Sequence, residues 1–212
     1  MLKVNEIFHS IQGESTYSGW PCAFIRLSWC NLRCDYCDTV YAYQEGEDMS
    51  IAEIMEKIDS YDVKLAEITG GEPLLQSETP ALAQRLIESG YKTLIETSGS
   101  IAINTLPDEC IRIVDFKTPS CGMSEKNLWK NVDYLTKRDE VKFVVRTRED
   151  FDWALEQISK RELIEKCAVS VSPVFGELDN QVLAEWILES KLPLRLNLQI
   201  HKYIWDPQTR GV

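Results

Sequence analysis

Strand-length apolar runs alternate with helical patterns along nearly the whole chain, and this alternation restricts the fold more than any other feature. Runs of strand length fall at residues 4–8, 22–28, 65–69, 93–97, 111–116, 141–145, 168–172 and 194–200, several with β-branched centres. Between them, residues 49–60, 79–90, 148–166 and 178–190 carry apolar side chains at helical spacing, the second pattern stopping at Gly90. Such alternation predicts an α/β fold with a mostly parallel sheet covered by helices. With this many strands, a partial barrel competes with a doubly wound sheet. The acidic stretch YQEGEDMS at 43–50 reads as a solvated loop feeding a helix N-terminus.

At 212 residues and 44% apolar content the chain can bury one sizeable core, so residues 1–212 are expected to form a single domain. The formal net charge of -11 argues against direct binding to nucleic acid. The start of the chain lacks a basic segment followed by an apolar run, and no stretch approaches membrane-spanning length, so a soluble cytoplasmic protein is expected. Seven cysteines in that setting point to reduced thiols, metal binding or redox chemistry. Cys22, Cys110, Cys121 and Cys167 are scattered among apolar residues and read as small core side chains. Two histidines, His9 and His201, are too few for multi-histidine metal catalysis.

Polar and glycine-containing words follow the strand runs: TGGEP at 69–73, ETSGS at 96–100, DFKTPS at 115–120, SPVFG at 172–176 and QIHKY at 199–203. In parallel α/β folds the loops at the carboxyl ends of strands converge on the active site. The strongest word is CNLRCDYC, whose Cys30, Cys34 and Cys37 offer three soft thiolates from one short loop after a strand. Such a set suits an iron–sulfur cluster, and a cubane held by three cysteines leaves one iron open to another ligand. A structural zinc site completed by Cys22 or a histidine is the alternative, although the second close cysteine pair of a zinc ribbon is missing.

The Cys30-x3-Cys34-x2-Cys37 spacing, with Tyr36 before the last cysteine, resembles the signature loop of the radical S-adenosylmethionine superfamily. The resemblance implies a radical SAM core, an incomplete TIM-like barrel of mostly parallel strands, with a [4Fe-4S] cluster on Cys30, Cys34 and Cys37. It also implies S-adenosyl-L-methionine cleaved to a 5'-deoxyadenosyl radical, the chemistry belonging to the cofactor. Thr69-Gly70-Gly71-Glu72-Pro73 resembles the superfamily's glycine-rich motif, in which backbone and acid meet the cofactor's amino group.

A narrower resemblance, covering almost the whole chain, is to the 7-carboxy-7-deazaguanine synthase family. It rests on EIFHSIQGES, on Arg26 before the cysteine loop, on CDT after it, and on NLQIHKYIW near the end. What it implies is a lyase of the queuosine and 7-deazapurine route, acting on a small pterin, with Mg2+ against Thr39 and the substrate carboxylate. Ile11, Gln12, Gly13, Glu14, Arg26, Thr69, Gln199, His201 and Pro207 would meet the substrate, Gln199 and His201 from a final strand. Tyr36, Cys37, Asp38, Gly71, Glu72, Ser98, Asp115, Phe116, Lys117, Ser172, Pro173, Val174 and Phe175 would meet S-adenosylmethionine. A reducing partner such as flavodoxin or ferredoxin and a homodimer are further family expectations.

The residue types agree: glutamate and glutamine can pair with a pterin edge, and arginine can grip a carboxylate bidentately. Considered singly, Arg26 could serve a structural ion pair, Thr39 a turn, His201 a structural contact, and Lys117 and Lys142 a solvated surface. Two departures stand out: Ser15 follows QGE where relatives often have glycine, and DPQTRGV extends past the histidine motif. A glycyl-radical activase shares the cysteine loop and is the rival enzyme reading, which QGE, CDT and QIHK do not favour.

Overall fold

A computed structural model describes residues 1–212. Nine strands form one sheet: β1 Leu2–Ile11, β2 Pro21–Leu27, β3 Glu47–Met49, β4 Leu65–Gly70, β5 Lys92–Thr97, β6 Ile111–Asp115, β7 Glu140–Val145, β8 Ala168–Pro173 and β9 Arg195–Leu196. Their order is β3-β1-β2-β4-β5-β6-β7-β8-β9, parallel from β2 onward, with β1 antiparallel to β2 and to β3. The sheet never closes on itself, so it is the partial barrel rather than a complete one.

Alternation across the pleat sorts the strand residues to two faces. One face carries Ala23, Ile25, Ala66, Ile68, Ile95, Val114, Val141, Phe143, Val169 and Val171 into a 36-residue core shared with the helices. The other face begins with an apolar layer of Cys22, Phe24, Leu65, Leu94, Ile111 and Ile113. On that inner face each strand also carries polar residues, Glu67 and Thr69 on β4, Glu96 on β5, Asp115 on β6 and Lys142 on β7, and all of them line one cavity.

The helices are α1 Ile51–Asp59, α2 Thr79–Glu88, α3 Arg148–Lys160, α4 Leu163–Lys166, α5 Asn180–Ser190 and α6 His201–Ile204. Ser50 and Glu53 form a reciprocal capping box on α1, and the side chains of Thr147 and Asp179 cap α3 and α5. None of the helices is long and apolar enough to cross a membrane.

Three sequence expectations need correction. Glu47–Met49 is not loop but the edge strand β3, because Leu2, Lys3 and Val4 of β1 offer it an open ladder. The helical pattern at 148–166 breaks into α3 and α4, since Glu162 takes a left-handed conformation with φ 53. The final strand is only Arg195–Leu196. Gln199 lies beyond it and His201 opens α6, pinned by a hydrogen bond from the Ile200 amide to the Gly13 carbonyl at 3.0 Å.

Candidate active site

The cysteine loop leaves β2 at the carboxyl edge of the sheet and lines a cavity of about 810 Å³ that runs down the inner face of the strands. Trp29 turns the chain with φ 75, its amide bonded to the Ala42 carbonyl at 2.8 Å. The Leu32 amide donates to Cys30 Sγ at 3.4 Å, as backbone amides do toward cluster sulfurs. Glycines bring the next strand against this loop. A Cβ on Gly71 would stand 2.3 Å from the Trp29 carbonyl oxygen, and one on Gly70 would stand 2.2 Å from that of Leu27. Gln76 ties the assembly together, accepting from the Lys3 amide at 2.7 Å and donating to the carbonyls of Lys3 and Ser28.

Three thiols half-buried on one wall of an open chamber suit a cluster that must keep one iron accessible, and burial raises the Cys30 thiol above its ordinary range. No three His, Cys, Asp or Glu side chains gather round a single-ion point, so a closed zinc shell finds no support in the geometry. Cys121 is buried as expected, but against the loop rather than in the helix-covered core: its carbonyl accepts from the Asp35 amide at 3.2 Å.

Most of the expected residues meet at this one cavity. Ile11, Gln12, Gly13, Glu14, Arg26, Thr69, Gln199, His201 and Pro207 line it, as do Tyr36, Asp38, Thr39, Gly71, Ser98, Asp115, Lys117, Pro173, Val174 and Phe175. Three do not. Glu72 is fully buried behind the wall. Its carboxylate accepts from the Thr97 and Ser98 hydroxyls and from the amides of Leu74 and Ser98, so it positions the Ser98 turn instead of facing a ligand. Phe116 belongs to the helix-side core, its ring tilted against that of Trp129. Ser172 is buried and accepts from Asn197 at 3.0 Å.

Lys117 and Lys142 are not the solvated charges that lysines usually are. Lys117 pairs with Asp115 at 2.8 Å. Lys142, only 4% exposed, reaches Glu14 at 2.5 Å and Glu96 at 2.6 Å. Glu67 takes the Gln12 carboxamide as donor. Sequence reasoning passed over Glu67, Glu96 and Lys142 as site residues, although the signal exists: each interrupts an apolar strand at an inward position of the pleat.

The charges hold one another in opposite states. Burial alone would raise Glu14, but the Lys142 ammonium and the Gln199 bond bring it down to about 2. Burial, with the charges of Glu96 and Glu14 nearby, pushes Glu67 well above the carboxylate range. Burial would also discharge Lys142, yet Glu14, Glu96 and Asp115 hold it charged. Burial lowers His201, whose ring packs on Gly13 so closely that a Cβ there would meet Nδ1 at 1.9 Å. Arg26 gives its Nε to Glu6 at 2.7 Å, and no protein acceptor takes its terminal nitrogens.

A three-thiolate loop at the carboxyl edge of an open parallel barrel defines a radical S-adenosylmethionine protein, and the Radical SAM superfamily model matches residues 24–116. The 7-carboxy-7-deazaguanine synthase of Chlorobaculum tepidum is 44% identical over all of this chain and 97% of its own length. That of Koribacter versatilis is 43% identical over the whole of both. The chain belongs to the 7-carboxy-7-deazaguanine synthase family. Its fold matches the crystal structure of QueE from Escherichia coli with a TM-score of 0.75, at 22% identity and covering 93% of each chain. Membership brings the [4Fe-4S] cluster and S-adenosylmethionine with it.

Proposed function

We propose that residues 1–212 form one catalytic domain converting 6-carboxy-5,6,7,8-tetrahydropterin to 7-carboxy-7-deazaguanine and ammonia. One observation carries the reading: the Gln12–Glu14 segment enters the same cavity as the three thiols, so a small polar substrate can meet the cluster side directly. The bound cluster and cofactor supply the hydrogen-abstracting radical, held by Cys30, Cys34 and Cys37 with the walls at Gly71, Ser98, Asp115, Lys117 and Pro173–Phe175.

The chain's own residues do the recognising. Arg26 is oriented by Glu6 and keeps its terminal nitrogens for the substrate carboxylate. Glu14, ionised and fixed by Lys142 and Gln199, accepts from the donor edge of the pterin, and Gln12 can exchange partners beside it. Neutral His201 lies against Gly13, where it can accept or donate without adding charge. The Thr39 hydroxyl, bonded to Asp38 at 2.9 Å, offers a hard oxygen for Mg2+ once the substrate carboxylate supplies another. Cytoplasmic location, a flavodoxin- or ferredoxin-like reductant and a homodimer complete the proposal.

The test is anaerobic turnover of reconstituted protein with S-adenosylmethionine, reductant, Mg2+ and 6-carboxytetrahydropterin. Detection of 7-carboxy-7-deazaguanine by mass supports the reading. Deoxyadenosine released without the deazapurine would retain the radical chemistry and move the substrate elsewhere.

A further inference from the structure

Beneath the cavity sits a buried acid for which the reaction scheme above has no use. Glu140 opens β7 at the amino edge of the sheet, is 1% exposed, and pairs with no cation. Both carboxylate oxygens serve one residue 124 positions earlier: the Thr16 amide donates at 2.9 and 3.1 Å and the Thr16 hydroxyl at 2.5 Å. Burying an unpaired carboxylate is costly, and these charge-assisted bonds are what offsets it.

The second observation is the turn that Thr16 follows. Ser15 is buried with φ 63, a left-handed conformation that glycine adopts freely and serine does not. Its local support is slight: Ser15 Oγ accepts from the Tyr17 amide at 3.1 Å and its carbonyl from that of Ser18 at 3.3 Å. On the side before the turn, Gln12 is fixed by backbone bonds with Gly19 and Trp20, and Gly13 by Ile200. On the side after it, Glu140 is the anchor that reaches across to the far wall. β7 therefore grips this segment twice, at the backbone through Glu140 and at the Glu14 side chain through Lys142 two residues on.

We propose that Glu140 is a positioning residue for the substrate: through Thr16 it holds the Ser15 turn in its left-handed form and so aims Gln12 and Glu14 into the chamber. The proposal rests on Gln12–Glu14 being the substrate segment. Glutamine at 140 keeps the size and one oxygen that can take both Thr16 donors, but it loses the charge that strengthens those bonds and the second oxygen that shares the Thr16 amide, so the grip on the turn weakens.

Cluster-loaded Glu140→Gln should show a substrate KM raised about tenfold, the loss of the charge that strengthens the Thr16 bonds, with S-adenosylmethionine affinity and substrate-free deoxyadenosine release unchanged. Adding Ser15→Gly should recover most of the KM, because glycine needs no anchor to hold the turn. Thr16→Val, which removes only the hydroxyl, should shift KM less in the same direction, and it remains informative if the Glu140 variant fails to fold. An unchanged KM in Glu140→Gln, a parallel loss of cofactor affinity, or no rescue by Ser15→Gly would overturn the proposal. Amide hydrogen exchange at residues 13–17 reads the anchor without any substrate. Faster exchange in Glu140→Gln supports it even if the pterin proves not to be the substrate, and unchanged exchange sinks it.

Discussion

The two edges of the sheet are built by different means. At the carboxyl edge, the parallel strands β2 and β4 to β8 each deliver a loop of their own, and the loops after β2 and β4 fit because glycines remove side chains from the contact: Gly70 and Gly71 against Leu27 and Trp29, with Glu72 holding Ser98 from the adjacent strand. At the amino edge a single hairpin tip, residues 12–20, fills the barrel floor, and its partners are remote: Glu67, Glu140, Lys142 and Gln199. The first edge needs only adjacent strands in register. The second needs the whole barrel curved correctly, since polar groups more than 120 positions apart must meet within 3 Å. Cluster and cofactor chemistry should therefore survive damage to the floor, whereas turnover of the substrate requires both edges.

The strongest test of that separation pairs two substitutions. Cys34→Ala removes one of three thiolates, so the brown chromophore, deoxyadenosine release and deazapurine formation should all fall to background in anaerobic assays. Lys142→Met should keep the chromophore and substrate-free deoxyadenosine release but abolish product. It leaves Glu14 and Glu96 half-buried without their ammonium, a break that costs up to about 3 kcal/mol in chemical denaturation, the low end for a fully buried pair. Loss of the cluster in Lys142→Met would show that the two edges form one cooperative unit.

A smaller effect is expected from the other side. Gly71→Ala forces a Cβ to within 2.3 Å of the Trp29 carbonyl, and backbone there must shift, at about 1–3 kcal/mol for overpacking. Iron content per chain should drop while hydrogen exchange at residues 12–18 stays as in the wild type. Matching loosening of the floor would argue against independent edges.

The same contrast explains what the sequence made legible. Cys30, Cys34, Cys37 and the glycines of 69–73 announce themselves because a loop that binds a group alone must carry its chemistry in a short word. Strand runs were readable from their apolar faces, but Glu67, Glu96 and Lys142 looked like interruptions, since nothing local says that an inward glutamate meets an inward lysine two strands away. Glu72 read as a ligand residue because its acid sits in the motif, yet its oxygens are consumed by Thr97 and Ser98, partners set by the β4–β5 pairing. The 47–49 strand was hidden by its charge: at a sheet edge, backbone pairing with β1 suffices, and both Glu47 and Asp48 stay exposed.

The finest test concerns protons on the floor. Burial beside Glu96 and Glu14 raises Glu67 well above 4.5, so as pH rises past that value the folded chain keeps a proton there that the unfolded chain releases. Stability from this group is thus full below about 4.5 and declines as pH rises toward the folded value, by up to about 1.4 kcal/mol per unit. Glu14 runs the other way: held at about 2, its contribution is present above 4.5 and is lost as pH falls toward 2. Glu67→Gln keeps an acceptor for Gln12 and removes the titration, so urea midpoints at pH 5, 6, 7 and 8 should fall less steeply than those of the wild type. The acid limb governed by Glu14 should be unchanged. Equal slopes on the alkaline side would mean that Glu67 is already ionised beside Glu14 and Glu96, and the floor would then need a bound cation or a donor-rich ligand to balance it, tying its stability to occupancy in a way the carboxyl edge does not share.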